Sequence, residues 1–152
     1  MSAPDGKRRL PVLNQGGGPA GSDPGEDRPP WHWSIIGAVT IFLVWLPLAA
    51  LAARIDALAA MIGLQLAGFL IGTFAGGFFV GRFGGRAGPR EATISGFAAA
   101  ALGWALGAAA PGPGPGAATW ALLLVLMGGL GATTGRLGGR FGFSKRHPAE
   151  RR

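Results

Sequence analysis

Residues 33–53 read WSIIGAVTIFLVWLPLAALAA, 21 positions without a charged side chain. At about 1.5 Å of rise per residue, roughly 20 apolar residues carry a helix across the ~30 Å hydrocarbon core of a bilayer. Three further runs of this kind follow, at 57–81, 92–110 and 117–134. Arg54 and Asp56 separate the first two, and Arg82 closes the second. The last two flank 111–116 (PGPGPG), an alternation that cannot propagate a helix and must turn the chain. Backbone groups in lipid need partners within the segment, and these runs are too long and unbroken for barrel strands. The expected fold is therefore all-α, a polytopic integral membrane protein with four transmembrane helices arranged as two hairpins.

Composition agrees. Only 14% of the 152 residues are charged, against roughly 25% in an ordinary soluble domain. A helix facing water carries polar side chains every three or four residues. Residues 92–110 offer only Thr93 and Ser95, and 117–134 offer three threonines. A soluble globular enzyme is excluded on this reading. Residues 1–32 form a polar tail rich in Pro and Gly, too poor in apolar side chains to offset the entropy of ordering. It lacks the pattern of a signal peptide. The membrane domain is expected over 33–140, and a basic tail over 141–152.

Charge distribution sets the expected threading. The net charge of +7 would suggest nucleic acid in a soluble chain. Here the basic residues flank the spans, and no nucleic-acid partner is expected. Four spans place both termini and the 82–91 loop on one side. Near the membrane that side holds ten Lys and Arg residues, and the other holds Arg54 alone. Such a bias puts both termini in the cytoplasm. Trp31 and Trp33 mark the interface where the first span enters, with His32 between them as a bystander.

Residues 81–88 (GRFGGRAG) and 135–142 (GRLGGRFG) agree at six of eight positions, at an offset of 54 residues. Each copy follows an even-numbered span, so the offset equals one hairpin. Duplication of a hairpin and convergence of two glycine-packed helix ends both account for it. Within the first copy, Gly77, Arg82, Gly84 and Arg86 resemble the cytoplasmic signature between the second and third helices of major facilitator transporters. Gly81 stands where that family has its gating aspartate, and Gly85 replaces a basic residue. The resemblance implies a similar way of ending a helix, without the gating role. As a whole the chain resembles small four-span bacterial membrane proteins of unassigned function. That likeness, with the preference for Arg over Lys, implies the bacterial inner membrane.

Small residues recur every fourth position, which keeps them on one helix face. Gly68, Gly72 and Gly76 form one row in the second span, and Gly77, Gly81 and Gly85 form another. The third span carries Ser95, Ala99, Gly103 and Gly107, and the fourth Gly131, Gly135 and Gly139. Such faces let helix backbones approach closely in lipid. They serve packing within the chain or self-association. Pro47 interrupts the hydrogen bonding of the first span and is expected to kink it. Gln65 is the one carboxamide in any span. With Thr73 and Pro47 it is the candidate for a polar path. Asp56 is placed to cap the second helix.

The spans contain no Asp, Glu, Lys, Arg or His. Intramembrane ionisable groups mark proton relays and ion coupling, so a carboxylate-driven pump is not expected. No nucleophile–base pair, paired aspartates, zinc motif or phosphate loop is legible, and there is no Cys. The expectation is a non-enzymatic protein without cofactor or metal. Arg82, Arg86, Arg90, Arg136 and Arg140 are the candidate contacts for anionic lipid headgroups. Expected partners are membrane lipid, a second copy of the chain, or another membrane protein. The alternatives are a small oligomeric channel or permease and an accessory subunit of a larger transporter.

Overall fold

A computed structural model describes residues 29–85, 87–110, 114 and 116–146. The polar segment 1–28, Arg86, most of 111–116 and residues 147–152 lie outside the described residues. The chain is an all-α bundle of four helices: α1 (Pro30–Ala52), α2 (Leu58–Phe83), α3 (Pro89–Ala108) and α4 (Ala117–Arg146). Three of them, α1, α2 and α4, are long and apolar enough to cross a membrane. The fourth expected span, α3, does not reach that mark. It opens with Pro89, Arg90 and Glu91, and much of its apolar content is alanine.

Local chemistry explains the ends. Pro30 sits in the first turn of α1 and Pro89 in that of α3, where the missing N–H costs nothing. The Glu91 carboxylate accepts from the Gly88 N–H at 2.8 Å, which tightens the start of α3. Asp56 does not cap α2. The chain is extended at Ala57, so the helix begins one residue later and no side chain bonds its first turn. The second glycine row ends at Gly81, because Gly85 leaves the helix with φ of 59°. A left-handed φ suits a residue without Cβ. α1 continues through Pro47, and α4 continues past Gly139 to Arg146, into the segment expected to be a tail.

Pairings along the seams give the directions. Gly77 meets Gly135 and Gly81 meets Gly139, a constant offset, so α2 and α4 run parallel. On α3, Gly96 meets Gly131 and Ala92 meets Gly135, so α3 runs antiparallel to α4. Gly37 meets Ser95 and Gly103 meets the Trp45 ring, making α1 and α3 parallel. The two hairpins thus point the same way. α2 and α3 pack on each other and on both outer helices, with α1 and α4 on opposite sides.

Side chains are distributed opposite to those of a water-soluble bundle. Among the described residues, only Trp33, Ile41, Phe69 and Val80 are both buried and larger than threonine; the rest of the interior is Gly, Ala, Ser and Thr. The exterior carries the large aliphatics, with Leu43 and Val125 each 70% exposed. α3 follows suit through Ile94, Phe97, Leu102 and Leu106. Water would penalise this arrangement at every exposed leucine. Hydrocarbon does not, and there close packing of small residues holds helices together.

Candidate functional site

The most constrained part of the molecule is the face where α4 meets α2 and α3. A Cβ on Gly77, Gly81, Gly96, Gly131, Gly135, Gly138 or Gly142 would come within 3.0 Å of a backbone carbonyl on a neighbouring helix. Those carbonyls belong to Gly135, Gly139, Gly131, Gly96, Ala92, Phe74 and Phe78 respectively. Backbone cannot rotate away as a side chain can, so each position requires glycine. The first row of α2 serves a different neighbour. Gly68 faces Leu48, and Gly72 and Gly76 face the carbonyls of Ile41 and Gly37, all on α1. α2 therefore presents one glycine face to α1 and a second to α4.

Hydroxyls sit within these seams. Thr73 Oγ1 and Thr134 Oγ1 are 2.6 Å apart, joining α2 to α4. Thr73 also reaches the Leu70 carbonyl at 3.0 Å, and Thr134 the Leu130 carbonyl at 2.6 Å. Either hydroxyl can donate across the seam while the other turns to a carbonyl of its own helix. Ser95 is fully buried and donates to the carbonyls of Glu91 and Ala92, 3.0 Å each. Ser34 donates to the Glu91 carbonyl at 3.4 Å, tying α1 to the start of α3.

The opposite half of the bundle is looser. Trp45, Phe69, Trp104 and Trp120, one from each helix, surround a cavity of about 150 Å³. Gly103 and Gly107 make room here for the rings of Trp45 and Trp120 and receive no neighbouring backbone. Trp104 Nε1 donates to the Trp120 carbonyl at 2.8 Å, whereas Trp45 Nε1 is buried without a hydrogen-bond partner. Beside this cavity, a cleft of about 430 Å³ between α2 and α4 is lined by Gln65 together with Trp45, Leu66, Leu126 and Met127.

The proposed polar path is dispersed. Gln65 lines the cleft, Thr73 is sealed in the α2–α4 seam, and Pro47 is exposed on α1. The arginines are gathered at the other end. Because Gly81 and Pro89 both meet Gly139, the exposed side chains of Arg82, Arg90, Arg136 and Arg140 lie within about two turns of one level. Arg82 Nη1 donates to the Lys145 carbonyl at 3.1 Å, satisfying an acceptor near the end of α4. Lys145 Nζ stands 6.0 Å over the Phe78 ring. Arg86 lies outside the described residues.

Several contributors escape a reading of spacing alone. Gly138 and Gly142 form a second row on α4, visible as another four-residue interval, yet nothing in the sequence says that it faces α2. Gly37 and Gly96 are isolated glycines whose partners come from other helices. The tryptophan cavity is assembled from four separate segments. Among the described residues, no group of three His, Cys, Asp or Glu side chains could hold a metal ion. No family model matches this chain, and no curated protein or solved structure does either.

Proposed function

We propose that the chain is a non-enzymatic, multi-pass protein of the bacterial inner membrane. It crosses four times, keeps both termini in the cytoplasm, and works as a packed helical unit in contact with lipid and with itself or another membrane protein. The observation that carries this reading is the inverted side-chain distribution, with Gly, Ala and hydroxyls inside and large aliphatics outside. The 20 residues of α3 correspond to about 30 Å of helix, and its outward residues are apolar, which supports it as the fourth span. The basic residues at one end support the sidedness. Alkaline carbonate extraction of membranes tests the first claim: the chain should stay in the pellet. Its release into the supernatant would refute the reading.

Within this function, the accessory-subunit reading has one observation in its favour. The cleft between α2 and α4 opens beside Gln65, the one carboxamide in any described helix. A partner helix laid there could exchange a hydrogen bond with Gln65, worth about 0.6–2 kcal/mol in a membrane. Gln65→Leu should then weaken a purified complex while leaving the isolated chain as stable as before. The oligomeric channel or permease has less support, because Thr73, one of its candidate lining residues, is fully buried in the α2–α4 seam. Solute flux in liposomes that responds to Gln65→Leu would revive it.

A further inference from the structure

A trough of about 560 Å³ runs along the outside of the bundle between α1 and α3. Ile35, Val39 and Phe42 form one wall, and Ile94 and Leu102 the other; Ala98 supplies depth through its small side chain. From Arg90 to Leu102 it extends about 18 Å along the helix, slightly more than one leaflet of a ~30 Å hydrocarbon core. Its polar groups are confined to one end, where Trp31, Ser34, Arg90 and Glu91 line it. An apolar channel one leaflet deep with a cation at its mouth has the dimensions and charge pattern of a phospholipid.

The charges at that end sort themselves. Glu91 holds the Gly88 N–H, so its carboxylate is committed to the N-terminus of α3 and offset by that helix end. The Ser34 hydroxyl is turned to the Glu91 carbonyl. Arg90 is exposed. The first turn of α1 contains no acidic residue and no side-chain cap, so its positive end adds to the charge of Arg90. Guanidinium binds phosphate oxygens bidentately. Trp31, more than half exposed beside the mouth, suits the headgroup layer.

We propose that this trough holds one acyl chain of an anionic phospholipid, with the lipid phosphate on the Arg90 guanidinium. The proposal rests on the bundle lying in a bilayer, and it selects Arg90 from the basic residues as a built lipid site. The selectivity arises at the mouth, since the apolar walls treat all acyl chains alike. A zwitterionic lipid would bring a quaternary ammonium group towards Arg90 and the end of α1.

The test is native mass spectrometry of the full chain in mild detergent, offered phosphatidylglycerol and phosphatidylcholine with identical acyl chains. The wild type should retain phosphatidylglycerol in preference by about fivefold. Arg90→Gln should remove that preference, Arg90→Lys should keep part of it, and Arg136→Gln should leave it unchanged. Ala98→Trp, which fills the trough, should abolish retention; circular dichroism and a melting curve establish that this variant is folded. Equal retention of both lipids by the wild type would overturn the proposal, as would equal losses in Arg90→Gln and Arg136→Gln. A dimer that Ala98→Trp dissolves would identify a second copy as the occupant and overturn it too. Carbonate extraction separates the two levels: a chain that stays in the membrane but shows no lipid preference removes the lipid site alone.

Discussion

The hydroxyls of Thr73 and Thr134 lie 2.6 Å apart, one turn along α2 from the point where Gly77 meets the backbone of Gly135. The two contacts depend on each other. Short threonine side chains can bond across a helix pair only when the backbones are close, and the glycine contact brings them close. In lipid, where no hydrophobic force drives helices together, this combination of packing and hydrogen bonding is the main source of cohesion.

A double-mutant cycle of Thr73→Val and Thr134→Val should therefore give a coupling of about 0.6 kcal/mol, and at most about 1.7 kcal/mol. Valine keeps the shape of threonine and removes the hydroxyl. Unfolding in detergent measures it, and additive effects would show that the pair contributes nothing of its own.

Glycine substitutions should separate the seam from the lipid-facing surface. Gly77→Leu or Gly135→Leu drives a side chain into backbone and should cost about 1–3 kcal/mol or more. A Cβ at Gly129 meets nothing within 4 Å. Gly129→Ala should be neutral or raise stability by up to about 1 kcal/mol through helix propensity. The order of melting midpoints in detergent decides, and a Gly77→Leu midpoint equal to wild type would contradict the seam.

Removing the Arg82 guanidinium releases the carbonyl of Lys145. Arg82→Gln should loosen the last turn of α4, seen as faster amide hydrogen exchange over 143–146, with the Gly135 region unchanged. Unaltered exchange at that end would mean that the bond does not hold the turn.

Threading is tested by reporter fusions. A periplasm-active reporter should work at Gly114 and fail after Arg152. α3 is the one helix of the four that is not both long and apolar enough for a span, so its failure to cross would show first. The sign would be lost activity at Gly114 and, with α4 still crossing, activity after Arg152.

The sequence by itself determined that the chain is helical, where the first three helices fall to within a few residues and where the fourth begins, and which ends carry the arginines. α4 runs twelve residues past the expected end of its span, through Gly and Arg positions that a reading of apolar runs leaves out. The properties that were legible are local: an uncharged run of about 20 residues, a Pro–Gly alternation and a charge bias can each be read along the chain. Four-residue glycine spacing also revealed the rows at Gly68, Gly72 and Gly76 and at Gly131 and Gly135. Partner choice was a different matter. That Gly72 faces Ile41, that Gly77 faces Gly135 in a register one turn away from the 54-residue repeat, and that Gly103 accommodates an indole ring are decided by how four helices close around one another. The same holds for Thr73, whose hydroxyl could equally have lined a cavity or crossed a seam. Periodicity assigns a residue to a face, and only packing assigns that face to a neighbour, because helices in lipid choose partners by shape complementarity between segments distant in the chain.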